Sequence, residues 1–365
     1  MRKNKIHKFT ALILVTLMLS GLGITVSAQE TVYAATNTPA AQAAVGDSFQ
    51  SDGFTFTVIG DGKVKIKSNQ NGKQVSQSPD KSTLQLDTVQ HDGTTYKITE
   101  IEYLDATGYE KLVMNNLETF NGQTSTTWAD IKEVSMPSVT TIGGGAFANS
   151  KVEKVTCDSL VTVGADAFNG AKYLKEGIFP KVTTIGKRGF CGAGAESSGL
   201  TLHLPSLTTL TGDYIFSMSG LVTASFPEVT TIPAATFYEA KKLKSVDLPK
   251  VTLVEGSAFG RASIETANLP QLKEVKEHGF RECPNLKTVN CPNLKKVGQS
   301  AFFKDFNLSS IDMANIEQVG KWGFSQCFSL GPVLELPKLK SAGTQAFCTL
   351  KSLKEFHAPN LTDAG

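Results

Sequence analysis

From about residue 111 onward, the apolar positions fall in one pattern that recurs roughly every 22 residues. In residues 243–259, LKSVDLPKVTLVEGSAF, the residues Leu243, Val246, Leu248 and Val251 stand at positions 1, 4, 6 and 9 of the unit. Positions 4 and 6 alternate with Ser245 and Asp247, which predicts a short strand with one face inward and the other in water. Pro249 ends that strand, because it has no N–H to donate to a ladder. Val254 and Phe259 supply the return limb. The unit is too short for a helix pair.

Two markers keep the pattern in step. A Phe recurs at 147, 168, 190, 216, 237, 259, 280, 302, 324 and 347, and in most copies a Pro lies ten residues before it. Asp158 and Ala314 fill the Pro slot in two copies that lack it. A glycine (Gly143, Gly164, Gly186, Gly298, Gly320, Gly343) often follows the Pro slot by six, where it is expected to bend the backbone at a place awkward for a side chain. One such unit cannot bury its own apolar face. Stacked units can, and they form a solenoid with a parallel sheet along one side. Ten or eleven strands about 4.8 Å apart would make that sheet on the order of 50 Å long.

The segments LKSVDLPKVTLVEGSAF and KVEKVTCDSLVTVGADAF resemble the BspA-like, or Treponema-type, leucine-rich repeats. The resemblance covers roughly residues 111–365. It implies a leucine-rich-repeat solenoid with a parallel β-sheet on the concave side and an irregular, 3₁₀ or short helical convex side. The sequence departs from the commoner leucine-rich consensus, because Val251, Leu272 and Leu294 stand where an Asn is usual. Apolar packing is therefore expected in place of a buried asparagine ladder.

Residues 1–28 read as a secretory signal peptide: Arg2, Lys3, Lys5 and Lys8, then an apolar run, then Val26-Ser27-Ala28 as a small-x-small cleavage site. Residues 29–45, rich in Ala, Thr and Gln, read as a flexible linker. Residues 46–110 read as a β-rich N-terminal cap, with hairpin turns at Asp61-Gly62 and Asp92-Gly93 and a polar loop over residues 69–79. Residues 111–136 look like a degenerate first unit in which Trp128 fills the place of the missing Phe. At the other end, residues 358–361 begin a further turn that stops before its Phe, and we expect the natural chain to continue.

The formal charge is +2, and removal of the four basic residues of the signal would bring it to −2. This near-neutrality speaks against nucleic acid as a partner and against a polybasic membrane patch. No membrane span is expected after signal cleavage. The six cysteines are spaced two or more units apart within each related pair, too far for a disulfide. Cys157, Cys283, Cys291 and Cys327 are expected in the core, Cys191 and Cys348 nearer the surface. The histidines lack metal-ligand spacing, and Gly143-Gly144-Gly145 is not followed by the Lys-Ser/Thr of a phosphate loop. No catalytic constellation, metal site or cofactor site is expected.

What remains is a surface. Two columns of strand residues should face solvent on the concave side. One is hydroxyl-rich: Thr201, Thr223, Ser245, Thr266, Thr288 and Ser310. The other is His203, Ser225, Asp247, Asn268, Asn290 and Asp312. Short polar side chains leave the backbone approachable and offer many hydrogen-bonding groups on a rigid frame. The same residues would also be chosen merely for solvation and strand preference. The resemblance implies an exported bacterial cell-surface or secreted protein, adhesin-like rather than enzymatic, whose partner is a host matrix or cell-surface protein or a glycan. The alternatives are a structural spacer and the non-catalytic portion of a larger secreted enzyme.

Overall fold

The computed structural model describes residues 11–16, 27–32, 43–69, 82–121, 128 and 130–365. The signal peptide and the linker read from the sequence fall partly outside these residues, and the polar loop almost wholly. Within them, Ala11–Thr16 and Ser27–Val32 pair antiparallel.

Alternation of apolar and polar residues builds the N-terminal region. Five strands run in the spatial order Ser48–Ser51, Phe54–Gly60, Lys63–Asn69, Thr94–Ile101, Thr88–His91. The Asp52-Gly53 and Asp92-Gly93 turns have positive φ at both residues, the geometry that matches strand twist in a two-residue hairpin. The period of two then turns Phe54, Phe56 and Val58 inward with Val64, Ile66 and Tyr96, all buried. Thr83–Gln85 leaves this sheet and pairs parallel with Lys111–Val113, so it forms the first rung of the repeat sheet.

Each repeat unit is one coil held to its neighbours by three backbone ladders. The first is the concave strand, three residues in most coils, as in Ser245–Asp247. It pairs in parallel and in register, so Thr223, Ser245, Thr266, Thr288 and Ser310 stand opposite one another in sequence. The second is a parallel column of two-residue strands on the return limb, in two runs, Thr119–Phe120 to Thr209–Leu210 and Thr231–Ile232 to Asp363–Ala364. The third runs along the convex arch, where backbone conformation alternates. Residues two before and two after the marker Phe have left-handed φ, as in Ser257 (55°) and Arg261 (59°). The alternation aims every second N–H along the solenoid axis. Ser257, Phe259 and Arg261 donate to the carbonyls of Glu277, Gly279 and Arg281 at 3.0, 2.7 and 2.8 Å. Backbone groups that a buried loop would orphan are thus paired coil to coil. No helix occurs among the described residues, so the convex side is the irregular form of the alternatives left open by the sequence.

Inside, the marker Phe side chains stack into one column. From Phe147 to Phe324 they are fully buried, and successive ring centroids lie 4.6–5.7 Å apart. That spacing is close to the strand separation of a sheet, so the column and the ladders share one pitch. Trp128 continues it, stacked on Phe120 at 5.2 Å and buried, as expected for a Phe substitute. Leu248, Leu269 and Leu336 line the same interior, as do Val251, Leu272 and Leu294 in the slot of the missing asparagine.

The recurrent glycines stand where a side chain is awkward, as expected, and without positive φ. They are needed because adjacent coils touch there: a Cβ on Gly298 would lie 2.6 Å from the carbonyl carbon of Lys276, and one on Gly343 2.7 Å from Lys321 N. Cys191, expected near the surface, is 8% exposed, because the residue after the marker Phe is covered where the neighbouring arches are close. Cys348 in the same slot is exposed.

Candidate ligand-binding surface

The concave strands bring most of the sequence-predicted residues together. Thr223, Thr266, Thr288 and Ser310 are exposed in one column, with Ser245 half-buried between them. Beside them, Asn290 Nδ2 donates to Asn268 Oδ1 and Asn268 Nδ2 donates to Asp247 Oδ1, each at 2.6 Å. This chain of amides aligns the side chains across three coils and ends on a carboxylate. Neither Asp247 nor Asp312 is ion-paired among the described residues.

Three residues stand apart from that group. Thr201–His203 is the last strand of a six-stranded sheet, and Thr223–Ser225 begins the next. Only an isolated bridge between Leu200 and Leu221 joins them. The cause is the long step between Phe190 and Phe216. Its extra residues fold into a turn that Lys242 secures by donating to the carbonyls of Ala195, at 3.0 Å, and Ser197. Asp312 lies just past its strand. Its Oδ2 accepts from Cys291 N–H at 2.9 Å, replacing the backbone carbonyl that performs this task in the preceding coils. Burial, with the Asp312 charge adding to it, pushes the Cys291 thiol up to about 12. Asp312 therefore serves the fold first.

The same slots carry different chemistry nearer the N-terminus. There Lys111–Glu133 (3.4 Å) and Lys154–Glu176 (2.6 Å) alternate in sign along the strand column, and Lys132–Glu110 and Lys175–Glu153 repeat the pattern one residue earlier. From Thr201 to Ser310 the strand column holds hydroxyls instead of ion pairs; one residue earlier Lys287–Glu265 persists, and beyond this stretch Glu335–His357 pairs again across coils.

A second concavity was not anticipated from the sequence. Between convex arches lies an open groove with a cavity volume of about 510 Å³, walled by His278, Arg281, Phe303, Trp322, Gln326 and Gln345. Burial, together with the neighbouring Arg281 charge, holds His278 below the usual imidazole range. The signal for this groove was present but unread. Slots beside the marker Phe hold small residues such as Gly145, Ala148 and Ala235 in other coils, and hold Phe303 and Trp322 here. No group of three or more His, Cys, Asp or Glu side chains that could hold a metal occurs among the described residues. No helix there is long and apolar enough to cross a membrane.

Among solved structures, a leucine-rich repeat protein from Bacteroides ovatus is similar over 87% of this chain and 90% of its own, at 19% identity and a TM-score of 0.48. The pneumococcal vaccine antigen PcpA is similar over 87% and 88%, at 15% identity and a TM-score of 0.41. A leucine-rich cell surface protein from Faecalibacterium prausnitzii is similar over 86% and 95%, at 15% identity and a TM-score of 0.37. No curated protein sequence matches the chain. The family described as BspA type leucine rich repeat region matches in six copies, over residues 110–198, 161–284 and 253–364. These spans are the coils joined by the three backbone ladders, and the chain belongs to the BspA-type leucine-rich-repeat family.

Proposed function

We propose that the protein is exported and works at the bacterial cell surface or outside the cell as an adhesin-like binding protein. Its ligand is a host matrix or cell-surface protein, or a glycan. The binding face is the concave strip of Thr223, Ser245, Thr266, Thr288 and Ser310 with Ser225, Asp247, Asn268 and Asn290. Thr201, His203 and Asp312 lie at its margins.

One observation carries this reading. The first concave coils fill their slots with cross-coil ion pairs, whereas the middle coils leave a strip of short, exposed donors and acceptors in strict register. Solvation alone does not require that change. The charge-paired coils, by contrast, suit a spacer, which is the second reading.

The test immobilises residues 29–365 and measures binding to fibronectin, fibrinogen and a glycan array. The triple variant Asp247→Ser, Asn268→Ser, Asn290→Ser is then compared. Binding should fall tenfold or more, while urea stability changes by less than about 1 kcal/mol, as exposed substitutions do. Binding that survives the triple change would move the site off this strip.

A further inference from the structure

The convex groove has a composition of its own. Its floor is aromatic: the Phe303 and Trp322 rings stand 6.3 Å apart, tilted by 41°. Trp322 is fixed by donation from Nε1 to Gln345 Oε1. Amides and hydroxyls, among them Gln299, Ser300 and Gln326, complete the wall. Cations stand over the rings, Arg281 from the lining itself and Lys304 and Lys321 from outside it. Lys321 Nζ is 4.2 Å from the Trp322 centroid, and Lys304 Nζ is 5.2 Å and the Arg281 guanidinium 5.6 Å from that of Phe303. Arg281 pairs with Glu282 at 3.0 Å, but Lys304 and Lys321 have no carboxylate partner among the described residues.

We propose that this groove is a binding site for a carboxylated pyranose within a glycan. It is independent of the concave strip. A pyranose has a flat C–H face that packs on an aromatic ring, hydroxyls that need amide and hydroxyl partners, and, when oxidised to the acid, one negative charge. The groove supplies the ring faces and the polar partners within a volume ordinary for small-ligand sites, and Lys304 and Lys321, beside its rings, supply the charge. An apolar peptide anchor would leave the amides unpaired, and a simple anion would not use the rings.

The full chain has two tryptophans, and Trp128 is buried, so tryptophan emission reports on the groove. The probe is an oligosaccharide alternating uronic acid with N-acetylhexosamine, compared with its carboxyl-reduced form, by fluorescence and calorimetry. The acid form should bind and perturb emission, and the reduced form should bind at least tenfold more weakly. Trp322→Gly should lose at least tenfold in affinity. It should also melt no earlier than the parent, because Gly145 occupies the same backbone slot in another coil. Lys304→Gln with Lys321→Gln should erase the preference for the acid, and the concave triple variant should bind as the parent does. Failure to bind at millimolar concentration, equal binding of the reduced form, or unchanged binding by Trp322→Gly overturns the proposal. So does displacement by an acidic peptide at equal potency, which would assign the groove to a protein partner.

Discussion

Phe259→Ala should destabilise the protein by about 3–5 kcal/mol, the range for deleting a fully buried aromatic side chain. Phe259 has no exposed surface and is stacked on both sides, with centroids 5.0 Å from Phe237 and 4.6 Å from Phe280. Its removal breaks two ring contacts, each worth about 0.5–1.5 kcal/mol beyond burial. It also opens a cavity that the rigid coils on either side cannot collapse, since three ladders fix their separation. In a solenoid each coil leans only on its neighbours, so a weak interface in the middle divides the molecule into two cooperative units. Urea unfolding followed by circular dichroism should therefore become broader or biphasic, with a lower apparent m-value. Phe347→Ala is the control. Phe347 is only partly buried, its stacking contact to Phe324 is longer, at 5.7 Å, and it should cost about 1–2 kcal/mol without splitting the transition. Equal losses for the two variants, with one sharp transition in both, would mean that the ring column does not couple the coils.

The ring column was legible in the sequence because its constraint is chemical and repeats without relief. Each coil must offer one large flat side chain at the same height, and residue type alone records that. The Pro slot was legible for the same reason: Asp247 closes a strand two residues before Pro249, as the missing N–H requires. The return-limb ladder was not legible. A strand such as Thr141–Ile142 is too short to show a period of two. Nor was the convex arch, because left-handed backbone normally advertises itself as Gly or Asn, whereas Met218, Ala235 and Trp322 adopt it here. Their conformation is imposed by coil-to-coil hydrogen bonds, which no local propensity encodes.

The candidate surface divides along the same line. Which strand residues face outward follows from alternation, and the exposed columns are where the sequence put them. Which of those residues are already engaged depends on neighbouring coils. Asp312 looks like its column mates in sequence but caps Cys291. Asn293, Asn315 and Asn360, unremarked in the sequence, each bridge to the Pro carbonyl of the preceding coil at 2.7–2.8 Å. Repeat patterns reveal what every coil shares. What one coil holds alone is seen only in the structure, as with the one acidic residue in the core.

That residue is Asp305, and Asp305→Asn should stabilise the protein at neutral pH. Three residues past the marker Phe the interior slot holds Ala240 and Ala262, then Cys283, Asp305 and Cys327 in consecutive coils. The Asp305 carboxyl has no exposed surface. Its Oδ1 accepts from Cys283 N–H at 2.7 Å, and its Oδ2 has no hydrogen-bond partner. Burial raises its pKa well above the carboxylate range; the Cys283 bond opposes this, and the Glu282 charge adds to it. A carboxyl with a raised folded-state pKa holds its proton after the unfolded chain has lost it near pH 3.9. Stability from this group is therefore complete below about pH 4 and declines as pH rises, by about 1.4 kcal/mol per unit, until the folded carboxyl itself ionises. At pH 7 the loss is bounded at about 4 kcal/mol. Asparagine keeps an oxygen for Cys283 N–H and has no proton to lose, so a gain of about 1–3 kcal/mol is expected at pH 7, shrinking towards zero near pH 4. Urea midpoints of the two proteins measured from pH 4 to pH 8 test this. Exposed carboxylates held low by lysines, such as Glu196 and Glu317, tilt both curves the other way, but they cancel in the difference. A difference that stays flat with pH, or an asparagine variant less stable at pH 7, would show that the core accommodates the Asp305 charge.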